Sequence, residues 1–598
     1  MKYIMRIATL TFFLLLLLLL QQNKHIQASV SDSIVLGPTQ VNATFDNLGV
    51  VWWISSGDTN HDSTFTLEFR KIGESTWHPG APAMRAYPTI SVDGAPLNLN
   101  YWAASAMFLE PGQTYELKLS LNDPDGGSGS KTLTSTTRTM LSIDPNGRQL
   151  YVVPGSGGGT GSQSNPFKGL QAAANAAQPG DVFHIANGTY QPFQLLASGT
   201  AGHPIIFHGD SPLQAVVDGG GTDRGVVTLG EYDRITAYVI LENLLIRNGT
   251  WGIDAQNTQN ILIRCNSILD VSNGIVNRRN NWEGNQTIAD NVMIGRTPWP
   301  GSGIPEEEGI DLRGSGNVVA YNRVQYFGDC ISVNPEAGPA YVNDVNGNDV
   351  SYCVDDGIEI DYNQSNTRAW RNRVMNSRMG VSVQPIKGGP AYIFRNEFFN
   401  LESEPIKIHN GPSGFLVVHN TSAMIGNGQS DADPPWHNAM FRNNLMLGTK
   451  YAFEFITSPN LPNEGFRNFD YDAWGTTRVP CTSTPFFKWN NVRYNCLGNL
   501  QNIGVETHGQ IAGFGDLNNA NLPANWDVAV GPGSRDLSLR PGKPEINAGE
   551  VLMNLNDPFV SDGHPDLGAF EAGQPMPWYG PRIDPSLDKK TFLPLVRK

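Results

Sequence analysis

The chain is poor in charge, in cysteine and in long apolar runs, and each shortage excludes something. Only 16% of its 598 residues are charged, and acidic residues outnumber basic ones 56 to 41, for a net charge of −15. That field repels nucleic acid and anionic membrane surfaces, so no nucleic-acid partner is expected. Apart from Ile7 to Leu20, no stretch approaches the ~20 apolar residues of a membrane-spanning helix, and no membrane insertion is expected. The early run follows Lys2 and Arg6 and leads to Ile26-Gln27-Ala28, the pattern of a secretory signal peptide over residues 1–28. A secreted, extracellular, monomeric protein is the expectation. Five cysteines allow at most two disulfides. Cys481 and Cys496 lie in a loop-like segment and are expected to pair. Cys265, Cys330 and Cys353 fall inside strand-like repeats, with no histidine at metal-site spacing, and read as small buried residues.

Glycine (64) and proline (40) are plentiful, which favours tight turns and strands over long helices. Residues 33–140 alternate apolar and polar in short runs such as TFTLEFRKIG and TYELKLSLND, the pattern of a β-sandwich. Further on, Asn165-Pro166 is a good N-cap and first helical residue before an Ala-rich run that Gln178-Pro179-Gly180-Asp181 stops, which predicts one short helix.

A long repeat follows. Asparagine with an apolar neighbour recurs at Asn243, Asn266, Asn291, Asn322, Asn348, Asn372, Asn396, Asn420 and Asn443, at intervals of 23 to 31 residues. Such a period without a helical pattern means a solenoid of strands. Each repeat also carries a small residue and then alternating apolar residues: GIDLR (309–313), CISVN (330–334), GIEID (357–361), GVSVQ (380–384), PIKIH (405–409). Alternation turns Ile and Val inward and the residues between them outward. In that register Trp251, Asn273, Glu308, Asp329 and Asp356 share one outward column, and Asp311, Ser332, Glu359, Ser382 and Lys407 share the next. Arg313, Asn334, Asp361, Gln384 and His409 make a third.

Like charges stacked at the ~4.8 Å spacing of adjacent rungs raise one another's pKa or recruit a cation. A raised pKa supplies a general acid beside a carboxylate, as in glycoside hydrolysis. A cation such as Ca2+ needs several oxygen ligands, which Asp355, Asp356, Glu359 and Asp361 offer. An acidic column also serves simply to keep a flat β-face soluble and unpaired.

The segment 33–140, with Trp53 in an early strand and LEPGQTYELKL placing Tyr115 at a tyrosine corner, resembles a fibronectin type III domain, which implies a spacer or docking module. Residues 148–575, with PGD before VFHIANGTY at one end and GHPDLGAFEAG at the other, resemble the pectate-lyase-like proteins, leaving 576–598 as a tail. The resemblance implies an all-β chain, a β-sandwich followed by a right-handed parallel β-helix, and an extracellular polysaccharide as partner. It also implies polysaccharide cleavage. In lyases of that group acidic residues hold Ca2+ against a uronate and a Lys or Arg takes the C5 proton. Here Asp329, Asp356, Glu359, Arg313 and Lys407 are the candidates for catalysis, with Lys387 and Arg378 as further basic candidates. Glu308, Asp311, Gln384, Lys387, His409 and Trp251 are the candidates for holding the glycan. The motifs EGID, GDCIS and DDGIEI also look like a diverged polygalacturonase series, which would imply hydrolysis by paired acids. A non-catalytic glycan-binding surface is the third reading. Trp282, Trp299, Trp370 and Trp436 are candidates to stack on sugar rings.

Overall fold

A computed structural model describes residues 32–277, 284–335, 338–431, 436–456 and 467–582. The signal-peptide expectation, Trp282 and most of the tail lie outside them. Among the described residues, no helix is long and apolar enough to cross a membrane.

The chain opens with two four-stranded antiparallel sheets. One runs in the order Val35–Ala43, Leu48–Ser56, Tyr101–Ala106, Met84–Ala86, and the other Gly129–Thr136, Thr114–Asn122, Thr64–Lys71, His78–Pro79. Alternation explains the layering: in Thr114–Asn122, Tyr115, Leu117, Leu119 and Leu121 are buried and the residues between them are not. The Tyr115 hydroxyl accepts the Glu110 amide proton at 2.8 Å, five residues upstream, as a tyrosine corner does. The tryptophans that fill this core are Trp52 and Trp102, 1% and 6% exposed. Trp53 points the other way and meets Tyr101 edge-on at 5.0 Å.

From Gln149 onward the chain winds a parallel β-helix of about eleven turns. Its short helix runs Leu170–Ala176 rather than starting at Asn165-Pro166. Phe167 and Lys168 instead pair with Val152 and Val153, and Gly169, at φ 93°, turns the chain into the helix. Inside the coil, the apolar residues of successive rungs stack in files; Ile310, Ile331, Ile358, Val381 and Ile406 are all fully buried.

Asparagines line one inner corner. Each side-chain amide from Asn266 through Asn291, Asn322, Asn348, Asn372, Asn396 and Asn420 donates to the next asparagine's oxygen, at 2.9–3.1 Å. The expected repeat slips at both ends: Leu244, not Asn243, holds the equivalent position, and Asn444, not Asn443, receives the last of these bonds. Asn444 then donates to Asp472 at 2.8 Å. Adjacent asparagines at 443 and 444 hid the register.

The coil has three faces. The sheet containing Asp344–Asn346, Thr367–Trp370, Lys387–Phe394 and Ser413–Val418 is covered by the sandwich, with Met84 and Met107 packed among Trp370, Tyr392, Phe394 and Leu416. The stack of Arg373–Ser377, Glu397–Leu401 and Thr421–Ala423 is covered by the C-terminal segment, whose Leu517, Leu537, Leu539 and Ala569 meet Met375, Phe399 and Ala423. The third stack, Glu308–Asp311, Asp329–Ser332, Asp356–Glu359, Met379–Ser382 and Ile406–Lys407, receives no such layer among the described residues.

The sandwich is therefore no free spacer. Buried polar contacts fasten it to the coil: Asn47 to Asp344 (2.9 Å), Ser105 to Asn366 (3.0 Å) and Arg368 to Ser105 (2.9 Å).

The cysteines bring one confirmation and one correction. Cys481 and Cys496 are bonded. Cys330 and Cys353 are bonded too, with Cα atoms 5.7 Å apart, and are not merely small buried residues. Strand pairing sets one turn here at 26–27 residues, so their separation of 23 residues places Cys353 on the next turn a few residues short of the position above Cys330.

Candidate active site on the open acidic face

The third face carries the acids, and they are themselves nearly buried: Asp311, Asp355, Asp356 and Asp361 are 2–6% exposed and Lys407 9%. Paired strands place Asp311 beside Ser332, Ser332 beside Glu359, Glu359 beside Ser382 and Ser382 beside Lys407. Glu308 sits beside Asp329 in the preceding column. The repeated small residue has a steric cause: a Cβ at Gly357 would lie 2.4 Å from Val374 Cγ1, and one at Gly380 would lie 2.2 Å from the Pro405 carbonyl oxygen.

Two carboxylate groups form within this frame. Ligand atoms of Asp329, Asp355 and Asp356 lie within 4.8 Å of one another, as do those of Asp356, Glu359 and Asp361. Asp356 belongs to both. Its backbone amide donates to Asp329 Oδ1 at 2.7 Å, and Lys407 Nζ donates to its Oδ2 at 2.7 Å. Its Oδ1 is buried without a hydrogen-bond partner, as is Glu308 Oε2. Ser332 Oγ donates to Glu359 at 2.6 Å, while Ser382 Oγ and the Gln384 amide donate to Asp361 at 2.8 and 2.6 Å.

Among the described residues, three cations face seven carboxyls. Arg313 pairs with Asp311 at 2.8 Å and with the Asn334 carbonyl at 2.9 Å; Arg378 pairs with Asp355 at 3.2 Å. Both guanidiniums are engaged, which leaves Lys407 as the basic group set among the central acids. Burial and the neighbouring Asp355 and Glu359 push Asp356 up to about 7, with Lys407 pulling the other way. Burial, then Asp356, Glu359 and Asp355, hold Asp329 well above the usual carboxyl range. Glu308 is raised by burial and Asp329, and Asp361 by burial and Glu359. Burial opposes charge on Lys407, yet Asp356 and Asp355 keep its proton bound above the ordinary lysine range.

Other candidates fall elsewhere. Trp251 pairs with Asn273 in the Glu308 column, two rungs away from the acids. His409 follows Ile408 at the edge of the face. Lys387 does not join it: it begins the strand Lys387–Phe394 on the sandwich-facing sheet, its ammonium 4.7 Å from the Tyr362 ring centroid. Trp436 and Trp370 do not meet solvent either. Trp436 is fully buried among Phe415, Phe441 and Phe455 inside the coil, and Trp370 stacks on Phe394 beneath the sandwich.

All-carboxylate ligand sets suit a hard divalent cation. The unpartnered Asp356 Oδ1 and the excess of acids over cations fit such an ion.

No family model matches the chain, and no curated protein does. Among solved structures it is similar to pectate lyase Pel9A, with 17% identity over 71% of this chain and 96% of that one at a TM-score of 0.39. It is also similar to an alginate lyase from Paenibacillus sp. str. FPU-7 (15% identity, 49% and 94% covered, TM-score 0.26). A Yersinia enterocolitica family 28 exopolygalacturonase is a third (10% identity, 73% and 88% covered, TM-score 0.21). At these values the likenesses carry no activity across.

Proposed function

We propose that the protein cleaves a uronate-containing extracellular polysaccharide by β-elimination on its open acidic face. The observation that carries this reading is Lys407 Nζ, 2.7 Å from Asp356 within the crowd of raised carboxyls. A base for elimination must sit beside the groups that bind the uronate, and among the described residues Lys407 is the basic side chain bonded to the central acids.

A divalent cation such as Ca2+, held by Asp329, Asp355 and Asp356 or by Asp356, Glu359 and Asp361, would supply neutralisation of the uronate carboxylate and so acidify its C5–H. Asp356 keeps Lys407 protonated while the two are bonded; with Asp356 engaged elsewhere, the lysine loses its main reason to hold the proton. Lys407 then takes the C5 proton, the C5–H electrons form a C4–C5 double bond, and the C4–O4 bond breaks with its electron pair leaving on O4, which takes a proton from water. Arg313, tied to Asp311 and Asn334, holds the flanking rung in place. Glu308 and Asp311 extend the polar floor on one side, and Gln384 and His409 extend it on the other.

The test is incubation with polygalacturonate and alginate, with Ca2+ or with chelator, following the ultraviolet absorbance of the unsaturated product. The reading expects Ca2+-dependent absorbance that Lys407→Ala abolishes. New reducing ends without absorbance would point to paired-acid hydrolysis instead, and no product from either polymer would contradict the proposal.

A further inference from the structure

We propose that the C-terminal end of the coil is closed by a proton-dependent latch: Asp472 and Glu506 hold the last segment shut while they share a proton, and rising pH loosens it. The inference is independent of the chemistry on the acidic face.

The latch stands at the end of the asparagine ladder. From Asn266 to Asn420 each side-chain amide passes to the oxygen of the next asparagine, and after Asn444 the slot holds an acid. Asp472 Oδ1 accepts the Asn444 backbone amide at 2.7 Å and its side-chain amide at 2.8 Å, just as Asn444 accepts both from Asn420. An asparagine at 472 would serve the ladder equally and could offer its own N–H onward. The acid instead brings a charge into a fully buried position.

The next group onward is a second acid. Glu506 is also fully buried, and through it the closing segment is tied to the last rung. Its amide donates to the Phe469 carbonyl at 2.8 Å, its Oε2 accepts the Asp472 amide at 3.2 Å, and its Oε1 accepts the Trp474 indole N–H at 2.7 Å. On one side of it Leu500, from the short helix Leu497–Gln501, joins the apolar core of the coil. On the other side Gln510 and Ile511 pair with Ala473 and Trp474 as a final strand. Residues 497–512 thus close the coil, with Glu506 at their centre.

Two carboxylates in contact and away from water cannot both stay charged. Asp472 Oδ2 meets no N–H or hydroxyl donor, and a proton on Glu506 is what can serve it. Burial raises both acids: Asp472 to about 7, against the bonds from Asn444 and Glu506, and Glu506 well above the ordinary range, with the Asp472 charge adding to the effect. The charged groups around them are engaged with one another. Arg442, which lowers Asp472, faces Asp470 at 3.7 Å and Glu550 at 3.2 Å, and His508 meets Asp470 at 2.8 Å. Above the ordinary values of 3.8 and 4.5, the closed segment therefore keeps a proton that the open one has lost. Closure weakens as pH rises from there through about 7, until the pair is fully ionised.

The experiment is hydrogen exchange of the whole protein, read by mass on peptides within 469–476 and 497–512 and corrected for the intrinsic pH dependence of exchange. One proton lost on opening predicts protection that falls about tenfold per unit of pH between about pH 6 and about pH 8, while peptides around Ile240 and Ile263 keep theirs. Asp472→Asn extends the ladder by one asparagine, removes one of the two acids and is expected to flatten that slope. Glu506→Gln should flatten it from the other side, and it reads the same pair if the first variant does not fold. Protection independent of pH in the parent, a slope that survives in either folded variant, or a loss that spreads equally to the N-terminal rungs would overturn the latch.

Discussion

Two buried acid clusters in this molecule are built on opposite principles. Where the sandwich meets the coil, Asp46 and Asp344 are buried together, and burial with the Asp344 charge raises Asp46 to about 7. Arg368 forms an ion pair with Asp344, and Asn47 donates to both aspartates. Arg138 adds a second guanidinium, lowered to about 10 by burial and supported by both acids. Two carboxyls thus meet two guanidiniums. On the acidic face seven carboxyls meet three cations among the described residues, and a carboxylate oxygen of Asp356 is left without a partner. The first cluster is a charge-balanced structural joint, although Arg138 Nε and Nη2 and Arg368 Nη2 are buried there without hydrogen-bond partners. The second retains an excess of negative charge that only protons or a bound cation can offset, and such an excess persists where a ligand completes it.

Substitutions should separate the two. The largest effect is expected from Lys407→Ala, which should lower the rate of elimination by about a thousandfold, within the range of general-base catalysis, and should also lower the thermal unfolding midpoint because Asp356 is left buried without its cation. Asp344→Ala should leave the Arg368 guanidinium buried and unpaired and lower stability by about 3–5 kcal/mol, read by urea unfolding. Asp329→Asn should act in the opposite direction. It keeps the oxygen that accepts the Asp356 amide and removes an acid that must otherwise ionise among its neighbours, so it should stabilise the cation-free protein by about 1 kcal/mol, and more as pH rises. A loss of stability from Asp329→Asn as large as that from Asp344→Ala would erase the distinction between joint and site.

The pH dependence gives a smaller but signed effect. Asp356 rises from 3.8 to about 7 on folding, so between these values the native state binds more protons than the unfolded one. Stability contributed by this group therefore falls as pH rises through that window, and levels off above it. Asp46 and Asp472 are raised to about 7 as well, so the Asp356 share is the part of the slope that Asp356→Asn removes. Saturating Ca2+ should flatten the same share in the parent protein and leave the variant unchanged.

Much of the open face was legible in the sequence, because a coil turns sequence period into spatial register. Once Gly357-Ile358 and its equivalents were aligned, Asp311, Ser332, Glu359, Ser382 and Lys407 fell into one column, and the strand pairing reproduces it. What the period could not show was anything that depends on how separate segments meet. Ser105, Asn366 and Arg368 carry no pattern that marks them as a joint. Trp436 has a neighbourhood of prolines and aspartates that reads as a loop, yet it fills the coil's interior. Cys330 and Cys353 belong to two different columns on adjacent turns, so aligning either column alone does not bring them together. The pairing of Lys407 with Asp356 skips a rung, so it too needed coordinates.

The central claim is that the acid excess of the open face is balanced by protons when no ligand is bound and by a divalent cation when one is. Calorimetric titration with Ca2+ near neutral pH, repeated in two buffers of different ionisation enthalpy, tests it directly. The expected result is saturable binding whose heat differs between buffers, because protons leave as Asp356 and its neighbours take the ion, with tighter binding at higher pH and loss of the signal in Asp356→Asn. Absence of saturable binding, or binding that releases no protons and survives Asp356→Asn, would contradict it.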